Sequence, residues 1–346
     1  MTTDSSKKAQ SFAVISGNQV QQTLQGHEKQ IVELVETTYR LHGEGDSVNP
    51  ESIFLRFEDR PTSRIIAKPA AIGGEIAVDG MKWVSSFPDN VKSGIPRASA
   101  VLILNDHDTG YPFVCMEGSI ISAARTAASA ASGADWCSRG RERPKRVGFF
   151  GVGLIARYIH MFLAGTDWSF DEIGLYDLYP ESAASFKGYL ERSGTDSQIT
   201  IHESPEEMIR SCDMVVFATV AGEPHVTDLS WFDHNPIVLH VSLRDISPEI
   251  ILASSNIVDD VDHCLTANTS PHLAEQQTGN RDFIQGTIAE LMAGKVTLPD
   301  DRPIIYSPFG LGVLDLAVGK HVYDEVSRAG GLQVVEDFFH ETKRYG

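Results

Sequence analysis

The fold is indicated first by the stretch RVGFFGVGLIARYIHMFL, residues 146–163. An apolar strand leads into the turn G-x-G-x-x-A, and a run with helical spacing follows. In such a turn the first glycine allows the tight bend, the second lets the backbone approach a pyrophosphate, and the small third residue lets the helix pack on the strand. The N–H groups and the positive dipole end of the helix favour phosphate. The pattern therefore predicts a dinucleotide-binding turn, in which Gly151, Gly153, Leu154 and Ile155 contact the cofactor.

The next predicted strand, EIGLYDLY, ends near an acidic residue. It places Asp177 close to the ~20-residue spacing at which a carboxylate accepts hydrogen bonds from the adenosine ribose. A negative charge at this point would repel the 2′-phosphate of NADP, so the sequence predicts NAD as the cofactor. The alternative is an ordinary aspartate at a strand end or in a turn.

Beyond Pro144, short apolar strands alternate with helical stretches. This rhythm predicts a Rossmann-type, doubly wound parallel sheet with helices on both faces, and therefore an α/β fold class. The further predicted strands are ITIHE, DMVVFATV, IVLHVSLRD and NIVDDV, and the predicted closing helices are FIQGTIAELMAGK and GVLDLAVGKHVYDEVSRAG.

Active groups of open parallel sheets gather at the carboxyl ends of the strands. Thr219 in DMVVFATV and Ser242 in IVLHVSLRD are expected to contact the cofactor. Asp245 ends IVLHVSLRD, and its carboxylate is expected to point toward the cofactor crevice. The alternative for Asp245 is a helix cap before the segment SPEI.

The part of the chain before the glycine turn has a different pattern. Residues 28–42 have helical spacing, residues 53–116 contain short β-branched or aromatic strands, and the Ala- and Ser-rich residues 119–140 predict a closely packed helix that stops at Gly140. Five cations stand here among apolar or small neighbours, and burial of an unpaired charge is costly. They are candidates for gripping an anionic substrate: Arg64, Lys68, Lys82, Arg97 and Arg125.

The alternative for these cations is that they are structurally paired or extend their charged ends to solvent, which applies most to Arg64, Lys68 and Arg97. Arg125 is harder to explain in this way, because its helix neighbours are almost all Ala, Ser and Thr. A guanidinium that projects from such a helix can bind a carboxylate in a bidentate manner.

Charge and composition exclude several classes of function. With 47 acidic and 29 basic residues, the formal charge of −18 argues against nucleic acid or an anionic membrane as a partner. No apolar run approaches the ~20 residues that span a bilayer. The N-terminal MTTDSSKKAQ is predicted to be a frayed polar tail without a secretory signal. Four cysteines without C-x-x-C spacing and histidines without a ligand pattern predict a cytoplasmic protein with no metal site.

The segments GMKWVSSFPDN, GYPFVCMEGSIISAARTAAS, GFFGVGLIA and SPFGLGVLDLA together resemble the ornithine cyclodeaminase/mu-crystallin family, over nearly the whole chain from about Phe12. The resemblance implies that the Rossmann NAD-binding domain, residues 126–317, is inserted in an α+β domain, residues 1–125 plus 318–346. That α+β domain would bind the substrate and form a homodimer, and the cleft between the domains would be the site. In this family the matching positions assign substrate-carboxylate contacts to Lys82 and Arg125 and proton transfer to Asp245.

Within the family, RIIAKPAAIGGE, PRASAVLILND and VSLRD are most similar to a branch of NAD-dependent dehydrogenases. That branch oxidises and hydrolyses N-(2-amino-2-carboxyethyl)-L-glutamate to 2,3-diaminopropionate and 2-oxoglutarate for siderophore or other natural-product synthesis. A cyclodeaminase has aspartate followed by Cys-Pro-Gly where this chain has Arg244-Asp245-Ile246, which argues against cyclodeamination. Either Asp245 or Lys82 is the expected base. The alternatives are another NAD(P)-dependent amine or imine oxidoreductase (alanine dehydrogenase-like, ketimine reductase or cyclodeaminase) and a non-catalytic mu-crystallin-like binder.

Overall fold

The computed structural model describes residues 11–340, so the polar tail MTTDSSKKAQ lies outside the described residues. The chain divides into two compact units, of which the first is Met1–Arg125 with Leu311–Gly346 and the second is Thr126–Gly310. The chain returns to the first unit at Leu311, earlier than the predicted residue 318. The reason is that the helix beginning at Gly312 packs as a whole on strands of the first unit.

The helices and strands of the described residues are numbered in chain order. The α-helices are α1 (Gly17–Leu24), α2 (Glu28–Gly43), α3 (Ser119–Ser138), α4 (Leu154–Gly165), α5 (Pro180–Arg192), α6 (Pro205–Ser211), α7 (Pro248–Leu252), α8 (Val261–Cys264), α9 (Ser270–Thr278), α10 (Ile288–Met292) and α11 (Gly312–Arg328). The strands are β1 (Phe12–Ile15), β2 (Ser47–Val48), β3 (Ile53–Arg56), β4 (Arg64–Ile72), β5 (Val78–Ser86), β6 (Ala98–Asp106), β7 (Pro112–Glu117), β8 (Arg146–Phe150), β9 (Glu172–Tyr176), β10 (Gln198–Ile201), β11 (Met214–Phe217), β12 (Ile237–His240), β13 (Ser255–Val258), β14 (Ile284–Thr287), β15 (Ile304–Ser307) and β16 (Gln333–Val335). Short 3₁₀ helices cover Pro88–Ser93 and Leu229–Phe232.

The first unit is built on a mostly antiparallel sheet. Its strand order is β16-β1-β7-β6-β5-β4-β2, with β3 also paired to β4, and β1 and β7 run parallel. Helix α11 packs on β4, β5 and β6 and also contacts α2. Alternation along β5 buries Val78, Lys82 and Ser86, so that a lysine lies on the same face of the sheet as core residues. This placement of Lys82 positions the candidate site of the first unit.

The second unit is built on a parallel sheet of strand order β10-β9-β8-β11-β12-β15-β13-β14. Each pair of neighbours in it is parallel. The strands β11, β12, β13 and β15 are buried along their whole length, as expected for a parallel sheet covered on both faces. The direction in which strands are added reverses between β8 and β11, which makes this the switch point of a Rossmann-type fold. The predicted fold class is confirmed.

Two predicted elements of the second unit are wrong in part. IVLHVSLRD is a strand only up to His240, because the chain then turns and Leu243 takes a left-handed backbone with φ of 69°. Asp245 therefore lies in a loop five residues beyond the strand and does not end it. FIQGTIAELMAGK begins as strand β14, and a capping box between Thr287 and Glu290 starts the short helix α10.

The helix predicted over residues 119–140 is closely packed. The cause is visible in the part of α3 that belongs to the second unit. Gly133 of α3 lies against the ring of Tyr306, and a Cβ at that glycine would be 2.2 Å from the ring atom Cδ1. Ser129, one turn earlier, hydrogen-bonds the Tyr306 hydroxyl at 3.0 Å. Small residues on α3 thus let β15 and its tyrosine approach the helix. In residues 11–340, no helix combines the length and the apolar character needed to cross a membrane.

Candidate functional site

The glycine turn stands between β8 and α4 in the second unit. Gly151 has a φ of +82°, and a Cβ there would lie 2.9 Å from the carbonyl oxygen of Ala218. Gly153 is the N-cap of α4 and has no side chain to accept a hydrogen bond from the first turn of the helix. A Cβ built on it would have no atom within 4 Å. The first glycine is therefore required by the protein's own backbone, whereas the second leaves open space in front of the helix. Leu154 and Ile155 form the first turn of that helix, whose N–H groups can bind phosphate.

Asp177 follows β9 by one residue and is fixed beside the glycine turn. Its Oδ2 accepts a hydrogen bond from the backbone N–H of Val152 at 3.0 Å, and its Oδ1 accepts one from the N–H of Tyr179 at 3.0 Å. A carboxylate oxygen has two lone pairs, so each oxygen can accept a further bond from a ribose hydroxyl. The structure thus brings Asp177 together with the predicted phosphate-binding residues.

A second group in this unit surrounds Asp245, which is fully buried. Its Oδ1 accepts hydrogen bonds from the hydroxyl of Thr219 and from Nε2 of His225, the latter at 3.1 Å. Its Oδ2 accepts one from the hydroxyl of Ser242 and lies 3.4 Å from Nε2 of His240. Thr219 and Ser242, both predicted cofactor contacts, therefore direct their hydroxyls at this aspartate.

The surroundings of Asp245 determine its ionisation. Burial raises the pKa of this carboxyl, but hydrogen bonds from His225 and Ser242 hold the pKa well below its usual range. The group therefore stays ionised at any working pH. A carboxylate stabilised to this degree is a weak proton acceptor, because proton uptake is most effective when the pKa lies near the operating pH.

Three of the predicted cations of the first unit, Arg64, Lys68 and Lys82, lie on one face of its sheet. Lys68 of β4 is paired in register with Lys82 of β5, and Arg64 of β4 is paired with Ser86 of β5. Arg97, just before β6, donates a hydrogen bond from Nη1 to Oγ of Ser86 at 3.2 Å. Burial and the neighbouring charge of Arg64 lower the pKa of Arg97. Two cationic groups result. One contains Arg64 and Arg97, and the other contains Lys68, four residues after Arg64 on β4, and its register partner Lys82.

The second cationic group contains a carboxylate that sequence reasoning missed. Nζ of Lys82 lies 2.8 and 2.7 Å from Oδ1 and Oδ2 of Asp315 on α11, and 2.9 Å from Oγ of Ser122 on α3. Nε of Arg125 donates to Oδ1 of Asp315 at 3.2 Å. Lys82, Arg125 and Asp315 are 2%, 8% and 0% exposed. Arg125 thus binds a protein carboxylate through Nε alone, and it has no partner for Nη1 among residues 11–340.

Burial lowers the pKa of Lys82 from 10.5 to about 7, since the attraction of Asp315 is opposed by the charges of Arg125 and Lys68. Burial also raises the pKa of Asp315, but the charges of Arg125 and Lys82 outweigh this and lower it overall. Two cations, Lys82 and Arg125, contact the one carboxylate of Asp315, so their contacts leave positive charge for an anionic ligand. In the described part of the chain, no three His, Cys, Asp or Glu side chains are arranged to hold a metal ion.

Of the site residues that the sequence analysis missed, Asp315 had a weak sequence signal. Asp315 is the acidic residue in the apolar run GVLDLAVG, a position at which a charge needs a partner. His225 and His240, which contact Asp245, carry no such signal, because a histidine near an apolar strand is compatible with an ordinary core. Only the fold brings them to the aspartate.

The parallel sheet of Rossmann order, with a glycine turn and an aspartate fixed beside it, defines a dinucleotide-dependent oxidoreductase. The chain belongs to the ornithine cyclodeaminase/mu-crystallin family, whose model matches residues 13–330. The predicted family is thereby confirmed, and so is the predicted class, an NAD-dependent enzyme.

The chain is similar to several known proteins along most of its length. It is 26% identical over 323 residues to an N-((2S)-2-amino-2-carboxyethyl)-L-glutamate dehydrogenase of Staphylococcus aureus, covering 91% of this chain and 95% of the relative. It is 27% identical over 297 residues to an alanine dehydrogenase of Archaeoglobus fulgidus, covering 84% and 88%. A solved archaeal alanine dehydrogenase dimer with bound NAD has a TM-score of 0.84 at 25% identity, covering 95% and 100% of the two chains.

Proposed function

We propose that the protein uses NAD to oxidise the secondary amine of N-(2-amino-2-carboxyethyl)-L-glutamate and hydrolyses the product to 2,3-diaminopropionate and 2-oxoglutarate. The observation that carries this proposal is the cationic face of the first unit. A substrate with three carboxylates needs several cations, and a monocarboxylate amino acid does not. The similarity to the Staphylococcus aureus dehydrogenase supports the same substrate.

The two cationic groups are suited to different carboxylates of such a molecule. Arg64 and Lys68 are four residues apart on β4, and a strand advances about 3.3 Å per residue, so their Cα atoms are roughly 13 Å apart. We assign one terminal carboxylate to Arg64 and Arg97 and another to the free guanidinium nitrogen of Arg125. Lys68 and Lys82, in the same group as Arg125, add positive charge there.

Oxidation of the amine requires that its nitrogen first lose a proton, because only a free lone pair assists departure of the hydride from the glutamyl Cα. Bound NAD supplies the hydride acceptor. Lys82, with a pKa of about 7, can exchange a proton near neutral pH, whereas the pKa of Asp245 lies far below that range. The lowered pKa of Lys82 therefore supports Lys82 rather than Asp245 as the base. We assign to Asp245 the task of fixing Thr219 and Ser242 at the carboxyl edge of the sheet.

Hydrolysis completes the reaction with balanced atoms. A water oxygen bonds to the former glutamyl Cα, the bond from that carbon to nitrogen breaks, and the nitrogen leaves with 2,3-diaminopropionate. The water gives up both of its protons as its oxygen becomes the carbonyl of 2-oxoglutarate. The base passes one of them to the departing nitrogen, and the other is released. The products are NADH, 2-oxoglutarate and 2,3-diaminopropionate, the last of which we propose to supply a siderophore or other natural-product pathway in the cytoplasm.

A homodimer is part of the proposal. Ile53, Ala67, Trp83 and Val101 are register partners that form an apolar row across β3, β4, β5 and β6. Ile53, Trp83 and Val101 in this row are exposed in the single chain. Exposed apolar patches of this kind mark interfaces, and the related alanine dehydrogenase structure is a dimer. We therefore propose that a second copy covers this face.

The deciding experiment is to incubate the protein with NAD and N-(2-amino-2-carboxyethyl)-L-glutamate. We expect NADH, 2-oxoglutarate and 2,3-diaminopropionate in equal amounts, and neither proline nor ammonia from ornithine. Alanine is the second substrate to test, because of the similarity to alanine dehydrogenases. Faster NAD reduction with alanine, or proline formed from ornithine, would assign the protein to another activity of the family. Tight ligand binding without any turnover would favour the non-catalytic binder.

A further inference from the structure

We propose that Asp315 is a positioning residue of the substrate site, which holds the ammonium of Lys82 and the guanidinium of Arg125 at fixed points and sets how readily Lys82 gives up its proton. This inference rests on the proposed function, in which Lys82 is the base and Arg125 binds a substrate carboxylate.

The contacts of Asp315 account for the orientation of both cations. Its two oxygens accept two hydrogen bonds from Lys82, and Ser122 accepts the third, so all three N–H donors of the ammonium are used. Oδ1 also accepts the Nε–H of Arg125. Because the Nε side of the guanidinium is engaged, Nη1 is the nitrogen that remains for a ligand carboxylate. One carboxylate therefore fixes both groups.

The position of Asp315 on α11 is suited to this task. It lies in the first turn of the helix, where the helix dipole stabilises a negative charge. Leu314 and Leu316 beside it are fully buried, as is Asp315 itself. A buried carboxylate keeps its charge only through paired cations, so its interaction with Lys82 is weakly screened.

A purely structural ion pair is the competing explanation, and the charge balance separates the two. A structural pair would have one cation for one carboxylate, whereas Asp315 accepts hydrogen bonds from both Lys82 and Arg125. Removal of the aspartate would leave only repulsion and burial acting on Lys82. The proton of Lys82 should then be lost at a lower pH, a change that loss of packing alone would not produce.

The test is Asp315→Asn, with Asp324→Asn as the matched control. Asp324 lies on the same helix and pairs with Lys320 at 2.6 and 2.8 Å, partly exposed to solvent. The titration of Lys82 is followed by NMR of protein labelled with ¹³C at lysine Cε, with the signal assigned from Lys82→Arg. We expect a midpoint near 7 in the unsubstituted protein and about 1–3 pH units lower in Asp315→Asn. The control should leave the midpoint unchanged.

The pH profile of kcat/KM should show the same shift. The part of the profile that reports deprotonation of Lys82 should move to lower pH. Loss of turnover with an unmoved Lys82 midpoint would overturn the inference and leave Asp315 a structural residue. If Asp315→Asn does not fold, Arg125→Gln gives the test in the opposite direction. It removes a repulsive charge and should raise the Lys82 midpoint, and no rise would refute the coupling.

These measurements separate the inference from the proposed function. The NMR titration uses the protein without substrate, so it is informative even if the proposed substrate is not oxidised. Absence of turnover with that substrate would refute the proposed function alone. An unmoved midpoint in both variants would refute the role of Asp315 alone.

Discussion

Alanine at either glycine of the dinucleotide turn should change a different property. Gly151→Ala should lower the stability of the fold, whereas Gly153→Ala should lower the affinity for NAD. Gly151→Ala places a side chain on a residue with φ of +82°, which costs about 1–2 kcal/mol for an L residue. The new Cβ would also lie 2.9 Å from the oxygen and 3.0 Å from the carbon of the Ala218 carbonyl. These are backbone atoms that no side-chain rotation can remove. We expect a total loss in the free energy of unfolding of about 2–3 kcal/mol.

Gly153→Ala is the matched control, because a Cβ there meets no atom within 4 Å and the backbone is extended, with φ of −79°. Its stability should stay within about 0.5 kcal/mol of the unsubstituted protein. The open space in front of the helix is where a pyrophosphate would approach, so NAD affinity should fall. Urea unfolding measures the first quantity, and quenching of tryptophan fluorescence by NAD measures the second. Equal destabilisation by both alanines, or a Gly153→Ala variant with undiminished NAD affinity, would refute the assigned division of tasks.

Three further predictions concern other groups. Asp177→Ala, combined with Arg at Leu178, should shift preference from NAD toward NADP in steady-state kinetics by removing repulsion of the 2′-phosphate, and equal use of both cofactors by the unsubstituted protein would contradict this. Lys82→Ala and Arg125→Ala should each fold, because Asp315 keeps one cationic partner, yet lose about 2–5 kcal/mol in kcat/KM. Their NAD affinity should be retained, and an equal loss of it would indicate a structural role. Burial lowers the pKa of His160 from 6.5 to about 4, so only the unfolded chain gains this proton between those values. Stability should therefore fall by up to about 3 kcal/mol as pH falls through that window, and urea unfolding of His160→Leu should show a smaller fall.

Those parts of the fold that depend on local order along the chain were predictable. The glycine turn, the acidic residue after the next strand and the alternation of strands with helices are relations between near neighbours. EIGLY of the predicted EIGLYDLY forms a strand, and GVLDLAVGKHVYDEVSRAG forms the predicted helix up to Arg328. The break after His240 was not predictable in this way. VSLRD continues the apolar pattern of the strand, and only the left-handed backbone at Leu243 shows that the chain turns.

The candidate site was predictable in part for a related reason. Lys82 and Arg125 stand out as charges among apolar or small neighbours, whatever their partners are. Their shared partner Asp315 is 233 residues from Lys82 in the sequence, and no pattern in one sequence connects them. Helix α9, which the sequence analysis did not predict, does have a local signal. Thr269 caps it by accepting from the N–H of His272, and Pro271 lies in its first turn.

The hydrogen bond from Val152 to Asp177 has a consequence for how such an enzyme could change its cofactor in evolution. The same carboxylate that favours NAD also anchors the glycine turn through a backbone N–H, and it anchors Tyr179 as well. A lineage that replaced Asp177 to admit NADP would loosen the turn in the same mutational step. The replacement would be tolerated only after another residue had come to hold that N–H, so the order of substitutions would be restricted. Cofactor preference in this protein is thus tied to the rigidity of the loop, and one cannot drift independently of the other.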